Sequence, residues 1–250
     1  MQIFNYQFKP KLIPTVATFL LLPLLINLGL WQANKAELKQ AKQALFEKRG
    51  VDAPVLINQD AIEIEKIRYS RVVTHGYYEP ELQILLDNQI YKSQAGYHVI
   101  TPLRISGGTT RILVNRGWVP LGLDRNILPV IDTPAGEVEI VGYAHDPATK
   151  YFELSKPSDV KQGSWQIVWQ NLDMKRYTSA VTFPLQSAVI LLDPESKAGG
   201  FVRDWPKPDF RIEVNKGYAL QWYFMAIALF VIYFVTNLKR IIPQGRTHAN

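Results

Sequence analysis

Two long uncharged segments, one near each end of the chain, constrain its fold more than any other feature. Residues 12–34 and residues 217–238 contain no Asp, Glu, Lys, Arg or His. Each segment has about 20 residues, and a helix of that length crosses the roughly 30 Å of hydrocarbon in a bilayer. The sequence therefore predicts two membrane-spanning helices with one water-soluble domain between them.

We interpret the first apolar segment as a retained anchor rather than a cleaved signal peptide. It reaches Trp31, which makes it longer than the apolar core of a signal peptide, and no small-x-small cleavage site follows. The sequence then predicts a tail, a transmembrane helix, a β-rich domain with an N-terminal helical extension, a second transmembrane helix and a second tail. Their predicted bounds are 1–11, 12–32, 33–216, 217–238 and 239–250.

Charge is distributed unevenly along the chain, whose formal net charge is +6. All 22 acidic residues lie between the two apolar segments, whereas both tails carry only basic charges. Short basic tails beside membrane helices are typical of contact with anionic headgroups, but a nucleic-acid-binding domain carries a basic patch within its fold. The sequence therefore predicts the lipid bilayer as a partner and argues against nucleic acid.

Charge alone leaves the orientation of the predicted helices open. Under the positive-inside rule, the basic residues after the first apolar segment would place the central domain in the cytoplasm. That rule is weak for long loops, and the basic C-terminal tail favours the opposite orientation. The basic residues in question are Lys35, Lys39, Lys42, Lys48 and Arg49.

Short β-strand patterns begin at about residue 68, after a predicted helical extension over residues 32–48. Turns are predicted at residues 87–89 and at Gly107-Gly108. Residues 185–192 read as a central strand and residues 173–180 as a short helix. The predicted fold class is a membrane protein in which two transmembrane α-helices flank an antiparallel β-rich, barrel- or sandwich-like extracytoplasmic domain.

The sequence lacks the patterns of catalytic and metal sites. It contains no cysteine, no G-x-S-x-G or H-E-x-x-H motif and no phosphate-binding P-loop. His75, His98 and His145 fall in or beside predicted strands without metal-ligand spacing, and we interpret them as structural. The apolar segments contain none of the charged residues that a proton or ion pathway needs. We therefore predict no metal site and a protein that is not an enzyme.

Two surfaces are candidates for binding. The run Asn115-Arg116-Gly117-Trp118 either forms a contact patch for a partner or places an Arg on turn carbonyls beside a core Trp. Tyr218, Trp222 and Met225 lie on one stripe of the second apolar helix. An aromatic belt at the membrane interface explains most of that stripe, but together with Trp31 it could also hold a flat apolar macrocycle.

Seven short motifs, in order along nearly the whole chain, resemble the Surfeit locus family of cytochrome oxidase assembly proteins. The most specific are Gly-Tyr-His-Val-Ile-Thr-Pro-Leu at 96–103 and Val-Asn-Arg-Gly-Trp-Val-Pro at 114–120. Asn-Leu-Gly-Leu-Trp-Gln and Gly-Tyr-Ala-Leu-Gln-Trp-Tyr mark the two anchors, at 27–32 and 217–223. The remaining three are Gly-Tyr-Tyr, Pro-Ala-Gly-Glu-Val and Asn-Leu-Asp, at 76–78, 134–138 and 171–173.

The resemblance implies a multi-pass protein of the bacterial inner membrane, with the β-rich domain in the periplasm and both tails in the cytoplasm. It implies a role in maturing haem–copper cytochrome c oxidase, at the step where haem a enters the catalytic subunit. The implied partners are that subunit and, further, haem a synthase. The residues predicted to contact a partner are Trp31, Asn115, Arg116, Gly117, Trp118 and Gln221.

One position departs from the family pattern. The family typically has a His three residues before the Tyr of the second anchor, suspected of ligating haem, and here that position is Asn215. A neutral amide does not replace imidazole as an iron ligand. Three possibilities stay open: another ligand such as Met225 or Tyr218, haem held transiently by contact with Tyr218, Trp222 and Met225, or no haem at all.

Two other functions compete with the assembly factor. Two helices around an external domain are also typical of a sensor, which here would have to signal through a separate membrane partner because only a short tail follows Leu238. An unrecognised periplasmic enzyme is the other possibility, although no nucleophile and base stand out in the sequence.

Overall fold

The computed structural model describes residues 2–3, 6–122, 124–125, 127–147 and 165–240. The chain divides into two compact units, a helical unit of residues 1–44 with 208–250 and a barrel unit of residues 45–207. In chain order, the described elements are β1 (Gln2–Ile3), β2 (Tyr6–Phe8), α1 (Leu12–Val51), β3 (Val55–Leu56), α2 (Ile64–Ile67), β4 (Arg71–Tyr78), β5 (Ile84–Tyr91), β6 (Gln94–Ile105), β7 (Arg111–Pro120), β8 (Glu137–His145), β9 (Val168–Trp169), α3 (Met174–Ala180), β10 (Leu185–Leu192), α4 (Ile212–Thr236) and β11 (Leu238–Arg240).

The helical unit pairs α1 with α4 in antiparallel directions, because later residues of α1 meet earlier residues of α4. Small residues on both helices let them approach closely: Gly29, Ala219 and Ala226 are all buried. A Cβ atom at Gly29 would overlap the ring of Tyr223. Close packing through small residues is the usual way in which helices associate in lipid, where burial of apolar surface supplies no driving force.

Buried asparagines tie the helix pair together at both ends of α4. Asn237, just after the last turn, accepts a hydrogen bond from Lys11 N at 2.9 Å through its Oδ1. Asn215, in the first turn, is hydrogen-bonded to two side chains of α1. At about 1.5 Å per residue the two asparagines lie roughly 33 Å apart along the helix, close to the thickness of a bilayer's hydrocarbon core.

The outer surface of the helix pair is apolar. Both helices are long and apolar enough to cross a membrane, and only 11% of each apolar window is buried within the structure. Ile13 and Phe19 on α1 are 82% and 73% exposed, and Phe224 on α4 is 60% exposed. Large apolar surfaces of this kind mark sites of contact with membranes or partners. This surface agrees with the predicted pair of membrane helices.

The barrel unit is built around a closed five-stranded barrel. Its strands are hydrogen-bonded in the order β4, β8, β10, β7 and β6, and a pairing of β4 with β6 closes the ring. Four of these pairings are antiparallel and one, β7 with β10, is parallel. The predicted β-rich, barrel-like domain between two apolar helices is thus confirmed, and the parallel pair is a feature that the sequence pattern did not indicate.

Apolar side chains from every strand of the barrel fill its interior. The predicted central strand is confirmed, because β10 lies between β7 and β8 and its Ile190 and Leu192 are fully buried. A second apolar cluster lies around α3, where Tyr177 and Trp169 pack on Leu113. The Asp173 side chain caps α3 by accepting hydrogen bonds from the backbone of Lys175 and Arg176, at the predicted position of the short helix.

One predicted turn is wrong. Residues 87–89 do not reverse the chain, because β5 continues unbroken through them with only a shift in its pairing with β6. The reversal falls at Lys92 and Ser93, whose φ values of 45° and 66° suit a two-residue hairpin. Asn88 has a φ of 60°, a left-handed conformation that Asn tolerates. This residue type is common in turns, but here it lies at a bulge within β5. The turn at Gly107-Gly108 is confirmed, and so is the helical extension predicted over residues 32–48, although the helix continues through Gly50 to Val51.

Candidate functional site

The first turn of α4 carries a buried polar group where the two helices meet. The Asn215 side chain uses both atoms of its amide: Nδ2 donates to Gln32 Oε1 at 2.6 Å, and Oδ1 accepts from Lys39 Nζ at 2.6 Å. A buried amide without partners would be costly, so these bonds favour the paired arrangement of the helices. We refer to Gln32, Lys39 and Asn215 as the Asn215 network.

The sequence did not reveal the Asn215 network as a unit. Lys39 and Asn215 are 176 positions apart, and Gln32 and Asn215 are 183 apart. No local spacing connects residues at that separation. The available signals were the Gln that ends the first anchor motif and the Asn at the start of the second, but neither indicated Lys39.

Asn215 does not fit the role of an axial haem ligand. Haem iron in proteins is held by imidazole, thioether, thiolate or phenolate groups, and a carboxamide is not one of them. Both polar atoms of the Asn215 amide are in addition engaged by Gln32 and Lys39. We therefore assign Asn215 to the pairing of the helices and derive no chemistry through a haem iron at this position.

The side chains predicted to contact haem lie toward the outside of the helix pair. Tyr218 and Met225 are exposed, and Trp222 is half-buried. Within the described part of the chain, no ring contact joins Trp31 to Tyr218 or Trp222, so the predicted aromatic cluster does not form by direct stacking. Contact of these residues with haem a stays a prediction.

The helical unit also contains two residues predicted to contact a partner. Trp31 is exposed, and the Lys35 ammonium lies 3.7 Å from the centroid of its ring. Gln221 is exposed on α4. Both side chains are therefore accessible at the surface of the helix pair, and their contact with a partner stays a prediction.

Arg116, on β7, is fully buried beneath two loops of the barrel unit. Its guanidinium makes hydrogen bonds to both loops and lies over two aromatic rings. Burial lowers the pKa of the guanidinium, and the nearby Tyr78 and Asp132 oppose that shift. The bonding partners are Asp132 O at 2.5 Å, Thr133 Oγ1 at 2.8 Å and Gly199 O at 3.4 Å, and the rings belong to Tyr78 and Phe201.

The neighbours of Arg116 are buried as well. Asn115 Oδ1 accepts a hydrogen bond from Gly117 N at 3.1 Å, and Trp118 Nε1 donates to Gln89 O at 3.0 Å. Gly117 has a φ of 115°, and a Cβ atom there would lie 2.6 Å from Val202 O. Glycine is required at this position because the backbone conformation and the close approach both exclude a side chain.

These contacts agree with the second interpretation of the run from Asn115 to Trp118. Arg116 binds loop carbonyls beside a buried Trp, and the four residues do not form an exposed patch. All four residues are buried in this structure, and their contact with a partner stays a prediction. In this structure Arg116 links the loops at residues 132–133 and 199.

His98 lies beside Asn115, and burial lowers its pKa to about 4. The Asn115 amide is oriented by its bond to Gly117, so its Nδ2 donates to His98 Nδ1 at 3.4 Å and favours the neutral ring. Because the unfolded chain binds the proton more readily, stability should fall as pH drops from about 6.5 towards 4, by about 2 kcal/mol for this group.

Urea unfolding of the full-length protein at pH 7 and pH 4.5 tests this expectation. The His98→Gln variant should lose less stability between the two pH values than the unmodified protein. An equal loss in both proteins would show that His98 does not carry the pH dependence.

The remaining histidines of the barrel unit do not converge. His75 Nε2 lies 3.2 Å from Glu139 Oε2 at the surface, and His145 ends β8. Among the residues that the structure describes, no three His, Asp or Glu side chains are close enough together to hold a metal ion. These contacts are consistent with structural histidines.

The fold and the Asn215 network define a class of protein with two apolar, membrane-type helices that buried asparagines join by hydrogen bonds. A closed β-barrel lies between these helices in the sequence. The sequence profile of the SURF1 family matches residues 19–227, and the chain belongs to the SURF1 family.

Relatives of this chain occur in animals and in bacteria. Surfeit locus protein 1 of Takifugu rubripes is 25% identical over 235 residues, which cover 86% of this chain and 93% of the relative. The SURF1-like protein of Rickettsia felis is 26% identical over 226 residues, or 85% and 91% of the two chains. Surfeit locus protein 1 of Mus musculus is 23% identical over 231 residues, covering 86% and 72%. The family match at residues 19–227 takes in most of α1, the barrel and the first part of α4.

Proposed function

We propose that this protein is an assembly factor for haem–copper cytochrome c oxidase. The observation that carries the proposal is membership of the SURF1 family, whose profile matches the barrel and parts of both helices. The structure is compatible with a binding role, because the apolar helices offer a large surface to other membrane proteins. The catalytic subunit of the oxidase is the proposed client, and the step is the one at which haem a enters it, with haem a synthase as a further partner.

The proposed location is the bacterial inner membrane, with both helices crossing it and the barrel in the periplasm. Roughly 33 Å between the two buried asparagines of α4 supports a spanning helix. Family membership supports the orientation, which charge alone leaves open. Both tails would then lie in the cytoplasm.

We further propose that the protein acts by binding its client rather than by carrying haem on an iron ligand at position 215. Asn215 supports this form of the proposal, since its amide is occupied within the helix pair. Transient contact of haem a with the stripe formed by Tyr218, Trp222 and Met225 is compatible with such a role. No catalytic step is assigned to any residue of the chain.

Deletion of the gene from its own host tests the function. Oxidase activity and the haem a band of the membranes should fall, while the haem b of other respiratory complexes should stay normal. Expression of the unmodified protein from a plasmid should restore both. Unchanged oxidase activity in the deletion strain would contradict the proposal.

Purification of the full-length protein in detergent, from cells that synthesise haem a, tests the mode of action. We expect a protein without a stable haem a band that nevertheless co-purifies with the oxidase catalytic subunit. A haem a band that survives purification and is lost in Met225→Ala would instead assign an iron ligand to α4.

A further inference from the structure

Three lysines lie on one face of α1, just beyond its apolar segment. Lys35, Lys39 and Lys42 are separated by four and three residues, which places them on the same side of a helix. Trp31, four residues before Lys35, lies on that side as well. Glu37 is two residues from both Lys35 and Lys39, so it points away from them. The face therefore carries three positive charges and no negative one.

Neutral partners hold two of these ammonium groups. Lys35 Nζ lies 3.7 Å from the centroid of the Trp31 ring, and Lys39 Nζ donates to Asn215 Oδ1 at 2.6 Å. A ring and an amide orient an ammonium group without cancelling its charge. Across the described residues, no carboxylate forms an ion pair with any of the three lysines.

Other cations at the same end of the helix pair are paired differently. Lys216 Nζ lies 2.9 Å from Glu213 Oε1, and Arg211 Nε lies 3.7 Å from Asp209 Oδ2. Their charges are therefore compensated within the chain. Among the described cations at this end of the helix pair, Lys35, Lys39 and Lys42 therefore leave positive charge for an external anion.

Asn215 positions this charge. Its Nδ2 donates to Gln32 Oε1, which fixes the rotation of the amide and leaves Oδ1 directed at Lys39. Because Asn215 is buried, solvent does not compete for that oxygen. Lys39 is thereby held at the edge of the helix pair, beside Lys35. Its ammonium group has three N–H donors, so it can also donate to a second acceptor.

We propose that Lys35, Lys39 and Lys42 bind the phosphate of an anionic phospholipid. Trp residues settle at the level of the headgroups, so Trp31 places the lysine face at the boundary where lipid phosphates lie. Lysines at that level attract anionic lipids, each contributing to affinity. The proposal uses only the membrane-spanning character of the helices and is independent of the proposed role in oxidase assembly.

Native mass spectrometry of the full-length protein in detergent tests the site, with phosphatidylglycerol and phosphatidylcholine as the two probes. We expect phosphatidylglycerol to bind more tightly than phosphatidylcholine. The double variant Lys35→Gln/Lys39→Gln should weaken phosphatidylglycerol binding by about tenfold and leave phosphatidylcholine unchanged. Lys216→Gln is the matched control, because it removes a lysine at the same end whose charge is already paired, and it should change affinity less than about twofold.

The Asn215→Ala variant tests whether the placement of Lys39 matters in addition to its charge. It keeps all three lysines but removes the acceptor that holds Lys39, so the affinity for phosphatidylglycerol should fall by about threefold. If the double variant does not yield folded protein, Lys42→Gln is measured in its place and should lose about threefold. Equal affinity for the two lipids, or an equal loss in Lys216→Gln and the double variant, would overturn the proposal. Oxidase maturation is measured separately and does not enter this result.

Discussion

Arg116→Ala should lower the free energy of unfolding of the barrel by about 3–5 kcal/mol. The guanidinium is fully buried, and its removal leaves Asp132 O, Gly199 O and Thr133 Oγ1 without their donor. It also opens a cavity between the rings of Tyr78 and Phe201. The measurement is urea unfolding of the full-length protein, followed through the tryptophans of the barrel unit.

Arg125→Ala is the control for this prediction. Arg125 pairs with the Asp87 carboxylate at 3.4 Å, but its side chain is 61% exposed, so its loss should cost no more than about 0.5 kcal/mol. Arg116→Lys keeps the charge but not the planar set of donors. Its loss in free energy of unfolding should lie between those of Arg116→Ala and Arg125→Ala. If Arg116→Ala lowers the free energy of unfolding no more than Arg125→Ala does, the buried guanidinium does not hold the loops.

Gly29→Leu should separate the two helices of the helical unit. A side chain at this position would occupy the space of the Tyr223 ring, and overpacking of this kind costs about 1–3 kcal/mol. The chain contains no cysteine, so nitroxide labels can be placed at Leu30→Cys and Leu220→Cys, both of which are exposed. Pulsed electron paramagnetic resonance should then show a longer and broader distance distribution than in the labelled parent.

Two further variants show whether the Tyr223 contact is the cause. Tyr223→Ala combined with Gly29→Leu removes the ring that the new side chain would overlap, and it should restore the narrow distribution. Ala17→Leu makes a similar change on the exposed side of α1 and should have no effect. A distribution that stays narrow in Gly29→Leu would mean that the helices do not depend on this close approach.

The sequence predicted the elements of the fold better than their pairing. Strand positions follow from local composition, and the apolar run at residues 185–192 correctly indicated a strand buried on both faces. The parallel pairing of that strand with β7 depends on how the chain closes into a ring, and no local pattern encodes it. The prediction of a turn at residues 87–89 was wrong for a related reason, because Asn is suited to the left-handed conformation of a bulge as well as to that of a turn.

The candidate site was predictable only in part. Asn215 stood out because it departs from the family pattern, and Arg116 because it lies in a specific motif. Their surroundings were not predictable, because burial of Arg116 depends on loops that return from residues 132–133 and 199. Whether the run from Asn115 to Trp118 forms an exposed patch, or places Arg116 on loop carbonyls beside a core Trp, was therefore decided by contacts with residues distant in sequence.

The sequence by itself determined that this chain has two uncharged helices of membrane length around a β-rich domain, since length, charge and side-chain periodicity are local properties. Its motifs also indicated the family. Only the tertiary structure decided that the domain is a closed barrel with one parallel pair, and that Asn215 is hydrogen-bonded to Gln32 and Lys39. The closure of the barrel and the hydrogen bonds of Asn215 both depend on contacts between residues far apart in the chain, which form only when the whole backbone is in place.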